Sequence, residues 1–401
     1  MATATADIGH TLPRGGGLPP LSVGAVVVGL AALAGGTVAL AEADGWRRGA
    51  QLLLGGTLGI TLYHASFGFT AAWRRQIVEG RGAGLRAQML MLALAVTLFF
   101  PVLAEGSLLG RPAGGFVMPV GLSLLAGAFL FGIGMQLGGG CASGTLYTAG
   151  GGNLRMLVVL LFFVLGSVGA TAHLPWWETL PSIGAHSFVR SLGWEAALAA
   201  HLAVFAAVAL ASRWLELRRH GGIERPPTAA GRGGIARILQ GPWPLVAGAV
   251  LLALLNFATL ALVGRPWGIT SAFALWGAQV LDGLGVAVRD WPYWAGQAGR
   301  IDAGPFADAT SVMDFGLILG AFLAAGLAGR FAPSLRVSAR SALAAILGGL
   351  AMGYGARLAY GCNIGAFFSG IASGSLHGWV WLVAAFAGNA VGVRLRPWFG
   401  L

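Results

Sequence analysis

The sequence predicts an all-α polytopic membrane protein: two inverted repeats with about nine transmembrane helices, plus re-entrant half-helices that carry glycine-cysteine loops. Three observations predict it. Of the 401 residues, 56% are hydrophobic and 10% charged, against roughly 25% charged in soluble domains, which excludes a water-soluble enzyme. Long apolar runs alternate with short arginine-bearing links. The two cysteines, Cys141 and Cys362, lie in glycine-rich stretches that repeat each other.

The formal charge of +11 arises from 25 basic against 14 acidic residues, and every strong base is arginine. A basic chain can signal nucleic acid. Here the arginines cluster between apolar runs, as the cytoplasmic loops of membrane proteins do, so a lipid bilayer and no nucleic acid is the expected surrounding.

Residues 1–20, rich in Thr, Gly and Pro, read as a disordered N-terminal arm. The run 21–43 ends in Ala39-Leu40-Ala41, resembling a signal-peptidase site, but exceeds a usual signal core of about 7–15 residues and is read as a retained span. Further runs that match a hydrocarbon core of about 30 Å lie near 86–105, 116–137, 154–173, 193–213, 243–263, 313–330, 341–360 and 376–394. The stretches 50–72 and 268–288 are interrupted by Gly, Ser, Thr or His and read as broken or re-entrant segments.

The basic clusters Arg74, Arg75, Arg81 and Arg86; Arg213, Arg218, Arg219, Arg225, Arg232 and Arg237; Arg330, Arg336 and Arg340; and Arg394 with Arg396 mark the cytoplasmic side. The segments 106–115, 174–192 and 289–312 carry acids such as Glu105, Glu178, Asp290, Asp302 and Asp308 and belong outside. This pattern requires 50–72 and 268–288 to return to the side they entered, which puts the N-terminus outside and the C-terminus in the cytoplasm.

Setting Cys141 on Cys362 aligns Gly132 with Gly353, Gly134 with Gly355, Leu137 with Leu358, Gly140 with Gly361 and Gly144 with Gly365. After a one-residue gap, Gly152-Asn153-Leu154 matches Gly374-Ser375-Leu376, and Ser66-Phe67-Gly68-Phe69 loosely answers Thr270-Ser271-Ala272-Phe273. The domains expected are a first repeat at 21–192, an extra span with a cytoplasmic linker at 193–240, and a second, inverted repeat at 241–401. Inverted repeats place a substrate site near the midplane, where discontinuous helices meet.

Dense glycine around Gly138-Gly139-Gly140-Cys141-Ala142-Ser143-Gly144-Thr145 and Tyr360-Gly361-Cys362-Asn363-Ile364-Gly365 should break a transmembrane helix, and freed backbone is tolerated there only beside protein or a watery cavity. A helix N-terminus suits an anion, and a thiol is a soft, weak donor. Two thiols in matching loops point to a soft, sulfur-containing anion; the competing reading is close-packed loops with inert cysteines. Asn153, Ser143, Thr145, Asn363, Ser369 and Ser375 either line a polar path or, individually more expected, satisfy freed backbone. Arg357 before Cys362 either raises the potential for an anion or snorkels. His64 and His377 are expected to be structural or interfacial. Asp282 and Asp314 fall near predicted span ends, where interfacial placement is expected, so no proton relay is legible. No Walker loop, haem-attachment pattern or metal-spaced His cluster occurs, so neither cofactor nor metal is expected and ATP hydrolysis is not.

The two cysteine motifs, together with Pro266-Trp267-Gly268-Ile269-Thr270-Ser271, resemble the YeeE/YedE family of sulfur-compound transporters over roughly residues 50–395. The resemblance implies an hourglass-like bundle of inverted halves, no enzymatic activity, and import of thiosulfate passed between cysteine thiols by S–H···S hydrogen bonds. It carries the relay onto Cys141 and Cys362, with Gly139, Gly140, Ser143, Gly144, Gly361, Asn363, Gly365 and Ser271 around them. The family has a third cysteine in a Phe-Cys-Phe-like setting, where this chain has Phe67-Gly68-Phe69; that position, Gly68, bears on either the three-step relay or the identity of the ion.

The expected function is an importer of thiosulfate or a close sulfur-containing ion in a bacterial inner membrane, handing its cargo to a cytoplasmic, TusA-like sulfur carrier. The alternatives are a transporter of selenium or another sulfur species, and a membrane sulfurtransferase using a cysteine persulfide.

Overall fold

The computed structural model describes residues 20–224, 234–333 and 337–401; most of the N-terminal arm, and Arg225, Arg232 and Arg336, lie outside these. Helices dominate. The first half holds α1 (Val23–Asp44), α2 (Trp46–Ala65), α3 (Phe69–Val78), α4 (Ala83–Glu105), α5 (Leu122–Gly138), α6 (Ala142–Gly150) and α7 (Leu154–Glu178). After α8 (Phe188–Leu192) come α9 (Trp194–His220), α10 (Ile235–Gln240), α11 (Leu245–Val263), α12 (Thr270–Gly283), α13 (Pro292–Ala295), α14 (Gly299–Asp302), α15 (Ala309–Leu327) and α16 (Ala339–Leu358). The short α17 (Asn363–Ala372) and then α18 (Leu376–Leu395) complete the bundle.

Among the described residues, ten helical stretches are long and apolar enough to cross a membrane, so the chain is a multi-pass membrane protein. That is one more than the sequence suggests, and the difference lies at 50–72. Helix α2 is an unbroken 20 residues, about 30 Å at 1.5 Å per residue. Its break comes afterwards, where Ser66 adopts φ 47° and donates its N–H to the Leu62 and Tyr63 carbonyls. The stretch therefore does not turn back on itself. By contrast α12 has 14 residues, too few to span a core of about 30 Å.

A full-length α2 changes the relation of the chain ends. The Ser22 N–H, at the start of α1, meets the Gly326 carbonyl at 3.0 Å near the end of α15. Gly152, just after α6, packs against Phe331 beyond that end. Arg155 then reaches the Gly138 and Ser341 carbonyls, and Arg396 reaches the carbonyl of Gln136. The start of α1 and the C-terminal Arg396 thus share one end of the bundle.

The basic clusters meet at that same end. Glu216, fully buried near the end of α9, accepts from Arg81 at 3.3 Å and Arg86 at 2.7 Å, and from the Gly82 and Glu224 N–H groups. Arg75 pairs with Glu224. At the other end the acid-bearing links meet, with the strand Pro119–Gly121 pairing antiparallel to Ser182–Ala185, Phe116 N–H donating to Ser373, and Arg48 reaching the Ala307 carbonyl.

Helix pairing explains much of the glycine. Helix α2 packs on α15, α4 on α11, α5 on α18 and α7 on α16, with α5 against α16 at the centre. Gly55 and Gly59 receive the Met313 and Leu317 carbonyls, while Gly316 and Gly320 receive those of Leu52 and Gly56, so any Cβ there would strike backbone. Small residues allow this approach in lipid, where packing rather than the hydrophobic effect drives association. In the register that sets Cys141 on Cys362, contacts recur: Gly132 faces the Ala385 carbonyl as Gly353 faces that of Phe163. Likewise Gly127 crosses Gly355 and Gly134 crosses Gly348, so α5 and α16 run antiparallel. Helix α1 covers α15, and α9 covers α4.

Candidate functional site

Both cysteines initiate short helices at the centre of this packing. Gly139, at φ +86°, stops α5 and lets the chain turn into Cys141, the residue before α6; Arg155 fixes the turn by donating to the Leu137 and Gly138 carbonyls at 2.8 and 2.5 Å. In the second loop Gly361, at φ +156°, precedes Cys362, and the Trp381 indole N–H holds the Gly361 carbonyl at 3.2 Å. The chain after Cys362 winds as a π-helix over Asn363–Ser369, a form frequent at functional positions. The aligned amides Thr145 and Ala366 close on the Cys141 and Cys362 carbonyls at 2.8 and 2.9 Å, so the loops follow the same path.

The thiols are 1% and 0% exposed. Cys141 Sγ lies 3.4 Å from Ser143 Oγ, and Cys362 Sγ accepts the Ile364 N–H at 3.4 Å. Gly144 faces Cys141, where an added Cβ would sit 3.6 Å from Sγ, whereas Gly365 faces open space. Helix α6 touches the start of α17, so the two cysteine loops lie side by side. Gly140, Gly361, Ser143 and Asn363 therefore belong to one constellation with the two sulfurs.

Two polar side chains here are unusual. The Thr145 hydroxyl and both amide atoms of Asn363 are buried without a hydrogen-bond partner among the described residues, so neither satisfies freed backbone. Buried polar groups are ordinarily bonded, and exceptions ask for a water, an ion or a ligand. Other candidates do serve the backbone or one another: Ser369 donates to the Trp267 carbonyl at 2.6 Å, and Ser375 Oγ lies 2.6 Å from His377 Nδ1. Asn256 ties α11 to this region by accepting the Trp267 N–H and donating to Ser369. Ser271 instead donates to Thr310 on α15 at 3.4 Å, alongside Arg265. Arg357 engages the Tyr293 hydroxyl at 3.1 Å and its ring face. His64 lies against Trp243.

Gly68 occupies an extended conformation that any residue adopts, before α3. A Cβ there would lie 3.7 Å from the Tyr147 hydroxyl of α6. A cleft of about 130 Å³ runs from Gly68 past Gln88 to Arg75 and Arg81 at the basic end. Edge-to-face rings lead from Phe67 through Phe69 to Phe367 of α17, so Gly68 is joined to both cysteine loops. Tyr147 matches Phe368 in the repeat register, but neither its approach to Gly68 nor the cleft is visible in sequence patterning, because each depends on how α3 and α6 meet.

Fold and site define a polytopic helical membrane protein with paired thiols and unbonded polar groups at its core. The chain belongs to the family described as Sulphur transport, whose profile matches residues 64–391, and the resemblance carried by the cysteine loops is thereby borne out. It is 27% identical over 353 residues to the Thiosulfate transporter TsuA of Spirochaeta thermophila, covering 84% of this chain and 96% of that protein. It is 28% identical over 359 residues to the protein of that name from Escherichia coli K12, covering 84% and 91%. A match to the Probable transporter YedE of Escherichia coli K12 is 32% identical over 152 residues, or 38% of this chain and 37% of that relative's length.

Proposed function

We propose that this chain imports thiosulfate or a close sulfur-containing anion across a bacterial inner membrane, passing it between Cys362 and Cys141 by thiol hydrogen bonds. One observation carries the reading: two buried thiols start two touching helices, and the unbonded Thr145 hydroxyl and Asn363 amide supply donors beside them. A terminal sulfur on the ion suits a thiol, while its oxygens suit hydroxyl and amide N–H. The relatives named as thiosulfate transporters, aligned along most of their lengths, support this cargo.

The matched contacts support an inverted duplication in which each half contributes five spans, α1 corresponding to α9. An odd number inverts the second half unaided, and ten spans leave both ends on the basic, cytoplasmic side. The ion then descends past α17 and Cys362 to Cys141, and leaves through the Gly68 cleft, whose Arg75 and Arg81 favour an anion. A TusA-like carrier at the basic end is the receiver in this scheme.

Labelled thiosulfate uptake, in cells lacking their own sulfate and thiosulfate systems, tests the proposal. Uptake should appear with this chain and vanish with Cys141→Ala and Cys362→Ala; uptake left intact by both substitutions defeats the relay. The missing side chain at Gly68 favours a second cargo, another sulfur species or a selenium oxyanion, which competition by selenite, sulfite and sulfide resolves.

A further inference from the structure

Asp314 lies in the second turn of α15, the span with the largest share of buried residues. It is 0% exposed, and neither carboxylate oxygen has a hydrogen-bond partner among the described residues. Sequence reading puts this residue at an interface; the helix instead begins at Ala309 and packs against α1, α2, α6 and α12. An ionisable side chain inside a membrane span is costly, and such residues mark ion or proton pathways.

Two further observations give Asp314 a role. Asp308, at the N-cap of α15, Ser311 and Asp314 follow at steps of three residues, each neighbouring the next on successive turns. Asp308 accepts from the Ser311 N–H and hydroxyl at 2.8 and 3.0 Å and from Arg300 at 3.3 Å, so a polar stripe runs inward from the end bearing the acidic links. Helix α15 also packs against α6, the helix that starts after Cys141, and α6 in turn touches the start of α17 after Cys362. We propose that Asp314 is a proton-binding site that couples anion import to proton import.

The coupling follows from electrostatics. An ionised Asp314 repels an anion at Cys362, whereas a protonated one does not. Anion binding therefore favours protonation, and protonation favours anion binding by the same factor. A proton entering along the Asp308–Ser311 stripe converts the carboxylate to the acid; its release at the basic end regenerates the carboxylate, with no bond of the cargo changed. Coupling is useful because anion entry against an inside-negative potential is uphill. The other ionisable groups on the helices packed against α15 are Glu42 and Asp44 of α1, Arg47, Arg48, Tyr63 and His64 of α2, Tyr147 of α6, Asp282 of α12 and Arg237 of α10, and Arg265, before α12, donates to Thr310 of α15 at 3.1 Å.

This inference rests on the transport reading above. The full chain in proteoliposomes, with labelled thiosulfate outside and a pH-sensitive dye inside, tests it. Thiosulfate should acidify the lumen, and an acid-outside gradient of about one pH unit should raise accumulation by about tenfold per coupled proton. Asp314→Asn should lose that stimulation yet keep thiosulfate counterflow, and Asp314→Glu should retain both. Wild-type uptake without lumenal acidification, or full gradient stimulation in Asp314→Asn, overturns the coupling and leaves the transport reading standing. The wild-type dye signal decides the matter even where a variant fails to fold. Absence of wild-type uptake overturns both.

Discussion

The Cys141 and Cys362 loops share a backbone path and differ in what holds them. Arg155 clasps the carbonyls before Cys141 with a guanidinium, close to the basic end. Before Cys362, one neutral indole N–H from Trp381 meets the Gly361 carbonyl, inside a cluster where Trp381 also contacts Phe131, Trp73 and Phe367. Both turns use a glycine at positive φ, Gly139 and Gly361; beyond that the first is secured by charge and the second by aromatic packing. The backbone at the two sulfurs thus matches while its supports differ.

The sharpest way to break this comparison is at the aligned glycines. Gly361→Ala puts a Cβ 2.7 Å from the Ala366 nitrogen at φ +156° and should cost about 3 kcal/mol. Gly140→Ala meets its nearest atoms at 3.3 Å and should cost about 1 kcal/mol. Unfolding midpoints of the purified protein check both; equal losses would erase the asymmetry. Next, Arg155→Met strands the Leu137, Gly138 and Ser341 carbonyls and removes charged hydrogen bonds, for about 2 kcal/mol, whereas Trp381→Phe loses one neutral bond, for about 1 kcal/mol. Thr145→Val and Asn363→Leu remove groups without a hydrogen-bond partner among the described residues, so stability should hold or rise. Thiosulfate affinity should nevertheless fall about tenfold for each, a loss of about 1.4 kcal/mol in binding, which titration calorimetry checks. The smallest stability effect is expected for Gly68→Cys, within about 0.5 kcal/mol, because the Cβ finds ordinary contacts. Its readout is competition, which should shift toward thiosulfate over selenite.

Much of this was legible in the residues. Hydropathy located nine of the ten spans, Arg81, Arg86 and Arg396 of the basic clusters lie at one end, and Gly132 and Gly353, aligned by setting Cys141 on Cys362, each meet a neighbouring helix's carbonyl. What escaped depends on tertiary neighbours. Ser66-Phe67-Gly68 reads as an interruption of 50–72, yet α2 is complete before it begins. Asp314 falls at the edge of an apolar run, yet α15 starts five residues earlier at Ala309 and buries it. Ser271 shares a motif with Trp267, but its hydroxyl faces Thr310 while the Trp267 backbone joins Asn256 and Ser369. Periodicity can mark a polar residue as unusual; it cannot say which helix will cover it.

The central claim is that a sulfur-containing anion lies between the two thiols. A crystal grown with thiosulfate and measured for anomalous scattering from sulfur tests it most directly. The account predicts a new sulfur peak within hydrogen-bonding reach, about 4 Å or less, of Cys362 Sγ or Cys141 Sγ, with Thr145 or Asn363 on the oxygens. Thiosulfate found only among Arg75 and Arg81 in the Gly68 cleft, with both thiols untouched, would contradict it.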